Sequence, residues 1–139
     1  MKNPETESFE SLSASGRILI VAGDEMQKQM CRNHPGIRSI PFREDLSKGD
    51  PAGFFRSRDF VAERSSFWGV SEADYLEKMS PIFHLDFSKR YVLCFGEDDC
   101  CKENLRFLIG YLRENRYPFP IDVRIVDEQT LFVKKAYTE

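Results

Sequence analysis

Three short polar turns, each following an apolar run, hold many of this chain's chemically capable residues: Gly23-Asp24, Arg43-Glu44-Asp45 and Gly96-Glu97-Asp98. In an open parallel sheet, ligands bind outside the carboxyl ends of the strands, where the strand order reverses. If the three strands are neighbours, Asp24, Arg43, Glu44, Asp45, Glu97 and Asp98 converge on one rim. Crowded carboxylates favour a divalent cation or raised carboxyl pKa values, and an arginine among them suits a phosphate or carboxylate. Arg64 is a further candidate for holding an anion. These seven are the candidate ligand-binding residues; no catalytic residue stands out and the cofactor is left open. The plainer use of acids at strand ends is to cap the next helix, as Asp24 and Asp98 or Asp99 are placed to do. Arg43-Glu44-Asp45 is too dense in charge for capping alone.

Other chemistry is poorly supported. There is no P-loop pattern, and no G-x-G-x-x-G follows the first strand, where Gly23 leads into Asp24 and Glu25. Cys100 and Cys101 sit at a helix start, where the dipole lowers a thiol pKa, but Asp98 and Asp99 act the other way, so packing is the expected role. These cysteines with His34 or His84 have no zinc-ligand spacing, and no metal site is expected. Two unplaced histidines allow no Ser-His-Asp arrangement to be read.

The elements that must position these residues follow from periodicity. Residues 1–15 carry Glu5, Glu7 and Glu10 among serines and are expected to be a flexible tail, with a single α/β domain over 16–139. Ile18 to Ala22 is a continuous apolar run, as in a strand covered on both faces. Met26 to Met30 predicts a helix ended by Pro35-Gly36, and Ile37 to Phe42 a second strand. The segment Arg43 to Pro51 is expected to be a loop, too charged for the core. Helices are expected over the stretch Phe54 to Trp68, where aromatic residues mix with Arg56, Arg58 and Arg64, and from Ser71, where Asp74 completes a capping-box-like pair. Tyr91 to Phe95 is the third strand. The following helix, to about Arg116, has the clearest stripe, with Cys101, Leu105, Leu108, Ile109 and Leu112 on one face. Ile121 to Val126 and Leu131 to Ala136 supply a fourth strand and a fifth at the edge, where Lys134 and Lys135 discourage foreign pairing. The expected fold is a three-layer α/β sandwich with a mainly parallel sheet of four or five strands, Rossmann-like or flavodoxin-like.

Composition narrows the partners. A formal net charge of -3 with scattered positive residues lacks the footprint of a nucleic-acid binder. No apolar run approaches the ~18 residues of a membrane span, and no signal-peptide order opens the chain. Four cysteines without a disulfide spacing fit a reducing compartment, so a cytoplasmic location is expected. Phe54, Phe55, Phe60, Phe67 and Trp68 concentrate in an arginine-rich stretch; most of these rings should be core, and the remainder anchors for another protein or a second copy of the chain.

The strand ending in Gly23-Asp24, the string from Ile40 to Gly49 (Ile-Pro-Phe-Arg-Glu-Asp-Leu-Ser-Lys-Gly), the Arg64 and Trp68 pair, and Val92 to Asp98 before a Leu-rich helix form one pattern. It resembles the bacterial family called domain of unknown function eighteen-thirty-five, over about residues 17 to 126, as an N-terminal-type domain only. Two departures are Asp50 between Gly49 and Pro51, and Cys94 where members often carry tryptophan. The resemblance implies no established activity, substrate or catalytic residue. Two functions stay open: a small binding or regulatory module working through the aromatic and arginine segment, and a small enzyme or metabolite binder. In the second, Arg43 and Arg64 would hold a phosphorylated or anionic compound while Glu44, Asp45 or Glu97 serve as metal ligands or general acid/base.

Overall fold

A computed structural model describes residues 8–51 and 53–139. In its first strand, β1 (Ile18–Val21), four consecutive apolar side chains are buried. Alternate side chains of a strand point to opposite faces, so Ile18 and Ile20 enter one core while Leu19 and Val21 enter another. The same division holds in β3 (Tyr91–Phe95): Tyr91, Leu93 and Phe95 join the first core, Val92 and Cys94 the second. A sheet buried on both faces needs helices on both. On one side lie α1 (Phe9–Ala14) and α2 (Asp24–Asn33), contributing Phe9, Leu12, Met26 and Met30. On the other lie α3 (Arg58–Trp68), α4 (Glu72–Phe83) and α5 (Asp99–Glu114).

With β2 (Ser39–Pro41), β4 (Asp122–Val126) and β5 (Val133–Thr138), the order across the five-stranded sheet is β2-β1-β3-β4-β5. The first four strands are parallel neighbours, and β5 runs antiparallel to β4. The chain is therefore α/β with a mixed, mostly parallel sheet, and helices on both faces satisfy the layering expected of a sandwich. No helix among the described residues is long and apolar enough to cross a membrane. The helix starts follow local chemistry: Ser57, Ser71 and Asp98 each accept a hydrogen bond from the backbone N–H three residues on.

Three expectations are corrected. The expected tail contains α1, capped by Ser8 and seated by Phe9 and Leu12, which are 7% and 0% exposed; two apolar residues three apart suffice for one buried stripe on a short helix. Residues 1–7 of that tail lie outside the described residues. Asp24 does not cap α2, because Gly23 is the cap residue and makes no side-chain bond. The loop after β2 is irregular as expected, yet Phe42, Glu44 and Leu46 within it are buried; the reason is electrostatic and is given below.

Because Leu12 is fully enclosed, Leu12→Ala is expected to lower unfolding free energy by about 2 to 4 kcal/mol, measured by urea denaturation. No change would mean that α1 does not belong to the folded unit.

Candidate functional site

The Glu44 carboxylate lies under the loop that follows β2, with its side chain fully enclosed. Arg64, from α3, donates from Nε to Oε2 at 3.0 Å and from Nη2 to Oε1 at 2.9 Å. The Trp68 indole N–H donates to Oε1 at 2.7 Å, and the Tyr75 hydroxyl of α4 to Oε2 at 2.5 Å. A fifth bond comes from the Asp45 backbone N–H. Arg64 also binds the loop's own carbonyls, at Lys48 (2.6 Å) and Asp45 (2.9 Å). From α5, the buried Asn104 donates to the Glu44 carbonyl at 2.6 Å and accepts from the Leu46 N–H at 2.9 Å. The loop enters the core because α3 and α5 satisfy its backbone while α3 and α4 satisfy its carboxylate. Burial would raise the Glu44 pKa, but the bonds from Arg64, Tyr75 and Asp45 overcome it and hold the carboxyl below its usual range. Burial and the same carboxylate push the Tyr75 phenol up.

This pair has no capacity left for a ligand. Arg64 is fully enclosed and spent on Glu44 and on carbonyls, so it is not available to an external anion. Arg43 is bound to Asp24 at 2.9 Å at the sheet's rim. Asp45 turns back on its loop to accept from Ser47, and Glu97 pairs with Lys134 on β5 at 2.7 Å. The seven expected residues therefore separate: Glu44 and Arg64 in the core, Asp24 with Arg43 at the rim, Asp45 in its turn, Glu97 toward β5. Of the seven, Asp98 lines the cleft between α2 and the start of α5, and Glu97 lines a separate concavity beside α5.

That cleft, of about 430 Å³, opens at the carboxyl ends of β1 and β3. From β1 outward, α2 and β2 lie to one side of the sheet order, while β3 and β4 lie to the other, so this is the reversal point of the parallel strands. One wall is α2, with Glu25, Met26, Gln29 and Arg32. The other is the start of α5, with Asp98, Cys100 and Cys101, and the turn after β4, with Glu128 and Gln129. Asp98, Cys101 and Glu128 bring ligand-type atoms within 4.8 Å of one another. Cys101 Sγ lies 3.3 Å from Glu128 Oε1, and the Cys101 N–H donates to Asp98 at 2.7 Å. Three such atoms fall one short of a closed tetrahedral zinc set.

The two carboxyls lie close enough to shift each other's ionisation in opposite directions. A hydrogen bond with Asp98 raises the Glu128 pKa, and the same bond lowers that of Asp98. Gly96 makes room for this: a Cβ there would collide with the Glu128 side chain. The thiols are poor nucleophiles. Burial, with Asp45 next, pushes Cys100 up to about 12, and burial also pushes Cys101 up. The sequence-based expectation of weak thiols named Asp98 and Asp99; burial is the larger cause, and the acids that add to it are Asp45, Asp98 and Glu128.

Glu128, Arg32 and Gln29 are absent from the residues expected from sequence. Glu128 had a signal, since Val126-Asp127-Glu128 is a fourth polar strand end of the same kind. Arg32 and Gln29 had none, because they lie on α2 and reach the cleft only through its packing. Of the aromatic and arginine segment, Phe55 and Phe60 are core, whereas Phe54, Phe67 and Trp68 keep exposed surface.

Two outcomes test this site. Glu44→Gln leaves the Arg64 charge with only the longer contact to Glu63, at 3.7 Å, and is expected to cost about 3 to 5 kcal/mol at pH 7. Since the folded Glu44 pKa is depressed, the stability it supplies is full above about pH 4.3 and lost as pH falls through the folded value, so urea midpoints of the two proteins should converge in acid. Glu128→Gln removes a like charge beside Asp98 and offers it an amide donor. The variant should melt higher than the parent at pH 7, and the gain should fade at acid pH, where Glu128 is already protonated; an unchanged or lower melting temperature at pH 7 would contradict repulsion between the two carboxylates. No family model matches this chain, and neither a curated protein nor a solved structure matches it.

Proposed function

We propose that this protein is a small binding module that takes an amine-bearing small molecule in the cleft between α2 and the start of α5. The observation that carries the reading is the cleft's position at the reversal of strand order, lined by three carboxylates (Glu25, Asp98, Glu128) against one arginine, Arg32. Its volume lies within the usual range of small-molecule sites, about 300 to 1,000 Å³. The N-terminal ends of α2 and α5 both meet it, and such ends ordinarily favour anions. Here they carry Asp24, Glu25, Asp98 and Asp99, which repel a phosphate and attract a cation. Two carboxyls in contact beside Cys101, with the Glu128 pKa raised, form a site that ionises more readily when a cationic group arrives between them.

The alternative, an enzyme acting on an anionic compound, loses support because Arg43 and Arg64 are already bound to Asp24 and Glu44. As to fold, we infer a flavodoxin-like sheet, supported by the parallel order β2-β1-β3-β4. The kinship with domain of unknown function eighteen-thirty-five is likewise proposed, on the string around Glu44 that anchors its own loop. A cytoplasmic location is proposed on the four free thiols.

A thermal-shift screen tests the function with spermidine, putrescine and the basic amino acids against nucleotides and sugar phosphates. An amine that binds should raise the melting temperature by mass action, by about 2.7 kcal/mol of stability at one hundred times Kd. Glu128→Gln should abolish that shift while the protein itself stays folded. A shift with phosphorylated compounds and none with amines would overturn the reading.

A further inference from the structure

A second concavity, on the opposite side of α5 from the cleft, is larger at about 680 Å³. It exists because of how the last two strands are joined. The crossover from β3 to β4 is α5, but β4 and β5 are joined by the turn 127–132, so among the described residues no helix between these two strands lies beside α5. The floor is apolar: Ile125 of β4 and Tyr137 of β5 are half-buried there, over the nearly buried Leu105 and Ile109 of α5. Ile125 and Lys135 are direct neighbours in the sheet.

Gly110 lies on α5 in this groove, inside a sixteen-residue helix. A glycine in a helix interior is destabilising relative to alanine. Nothing within the protein requires it, because a Cβ built at this position meets no atom within 4 Å. Its absence deepens the groove and lets a foreign backbone approach that of α5 closely. The rim carries Lys102, Arg106, Arg113 and Lys135. Arg106 holds Glu103 and Arg113 holds Glu139, each at 2.8 Å, in exposed pairs weak enough for an incoming acid to exchange. Lys102 and Lys135 enter no ion pair among the described residues, and Glu97 is taken by Lys134. From Lys102 to Arg113 the basic residues span roughly 16 Å of helix at about 1.5 Å per residue. One anionic head group cannot match cations spread over that length on two sides. A partner with several acids along its flanks can.

We propose that this groove is the docking site for an acidic amphipathic helix of a partner protein, laid beside α5 with its closest approach at Gly110. Such a helix fills the place in the layer that the short β4–β5 connection leaves vacant, with its apolar stripe on Leu105, Ile109 and Tyr137. Its acids pair with the lysines and arginines of the rim. A second copy of this chain docking by a two-fold axis would set basic rim against basic rim, which disfavours it as the occupant.

The test is selection of a phage-displayed library of helical peptides on the full chain, with affinities of the selected peptides measured on variants. Enriched sequences should carry Glu or Asp on both flanks of an apolar stripe at i, i+3, i+4 and i+7. They should bind Gly110→Leu at least tenfold more weakly, and Lys102→Glu with Lys135→Glu at least tenfold more weakly. Gly110→Ala should melt higher than the parent yet also bind these peptides more weakly, a combination that a purely internal role for the glycine would not produce. No enrichment, enrichment of sequences without the acidic helical pattern, or unchanged affinity in the charge-reversed protein would overturn the proposal. Saturable dodecanoate binding that shifts the Gly110 amide in the absence of peptide binding would assign the groove to a small amphiphile instead. A dimer in light scattering that Gly110→Leu dissociates would assign it to a second copy; both results reject a partner helix.

Discussion

Taking a carboxylate and a guanidinium out of water costs several kcal/mol per ion, and the cost is met only when every remaining lone pair and N–H finds a partner. Glu44 and Arg64 meet that condition with two parallel bonds between them and with Trp68, Tyr75 and the loop carbonyls around them. The consequences reach well beyond two residues. The pair ties α3 and α4 to the loop after β2, and Asn104 ties the same loop to α5. All three helices of one layer are thereby registered on one loop, α3 and α4 through the Glu44 carboxylate and α5 through the loop's backbone. A purely apolar contact at this place would exclude water equally well but would tolerate sliding; bidentate geometry does not.

The clamp also explains why the densest charged stretch of the sequence is not the ligand site. Charge in a sequence signals either solvent, a ligand or a partner within the protein, and only the last is realised at Glu44. At the rim, Asp24 and Arg43 neutralise each other, and Glu97 is drawn to Lys134. Asp98 and Glu128 have no cationic partner there: they meet across the mouth of the cleft, which raises the Glu128 pKa and lowers that of Asp98. A fold under no functional demand has little reason to keep two carboxyls in contact, since a single neutral side chain would serve the turn better.

The two concavities have different origins. The cleft is a property of parallel topology, arising wherever crossovers leave adjacent strand ends in opposite directions. The groove beside α5 is a property of the hairpin that replaces a crossover at the sheet's end. Lys134 and Lys135 on the edge strand suit this arrangement, because they protect the open edge from pairing while adding positive charge near the groove.

The element order was legible in the sequence, because it depends on short-range facts. Unbroken apolar runs at Ile18 and Tyr91 mark strands covered on both faces, the stripe from Cys101 to Leu112 marks a helix lying on the sheet, and Ser71 and Asp98 mark helix starts by their own side chains. The candidate α1 was missed because its two apolar residues are too few to make a periodic signal; burial against the rest of the chain, and not propensity, holds it. The fate of the charges was not legible at all. Glu44 finds its partners twenty, twenty-four and thirty-one positions away, at Arg64, Trp68 and Tyr75, and Asn104 is sixty away. Asp98 meets Glu128 only because β3 and β4 are neighbours in register. Hydrophobic periodicity is a property of neighbouring residues and survives in one dimension. Whether a carboxylate ends as a core anchor, a rim ion pair or half of a carboxyl pair depends on which distant group the tertiary packing sets within 3 Å of it, and that is decided only in three.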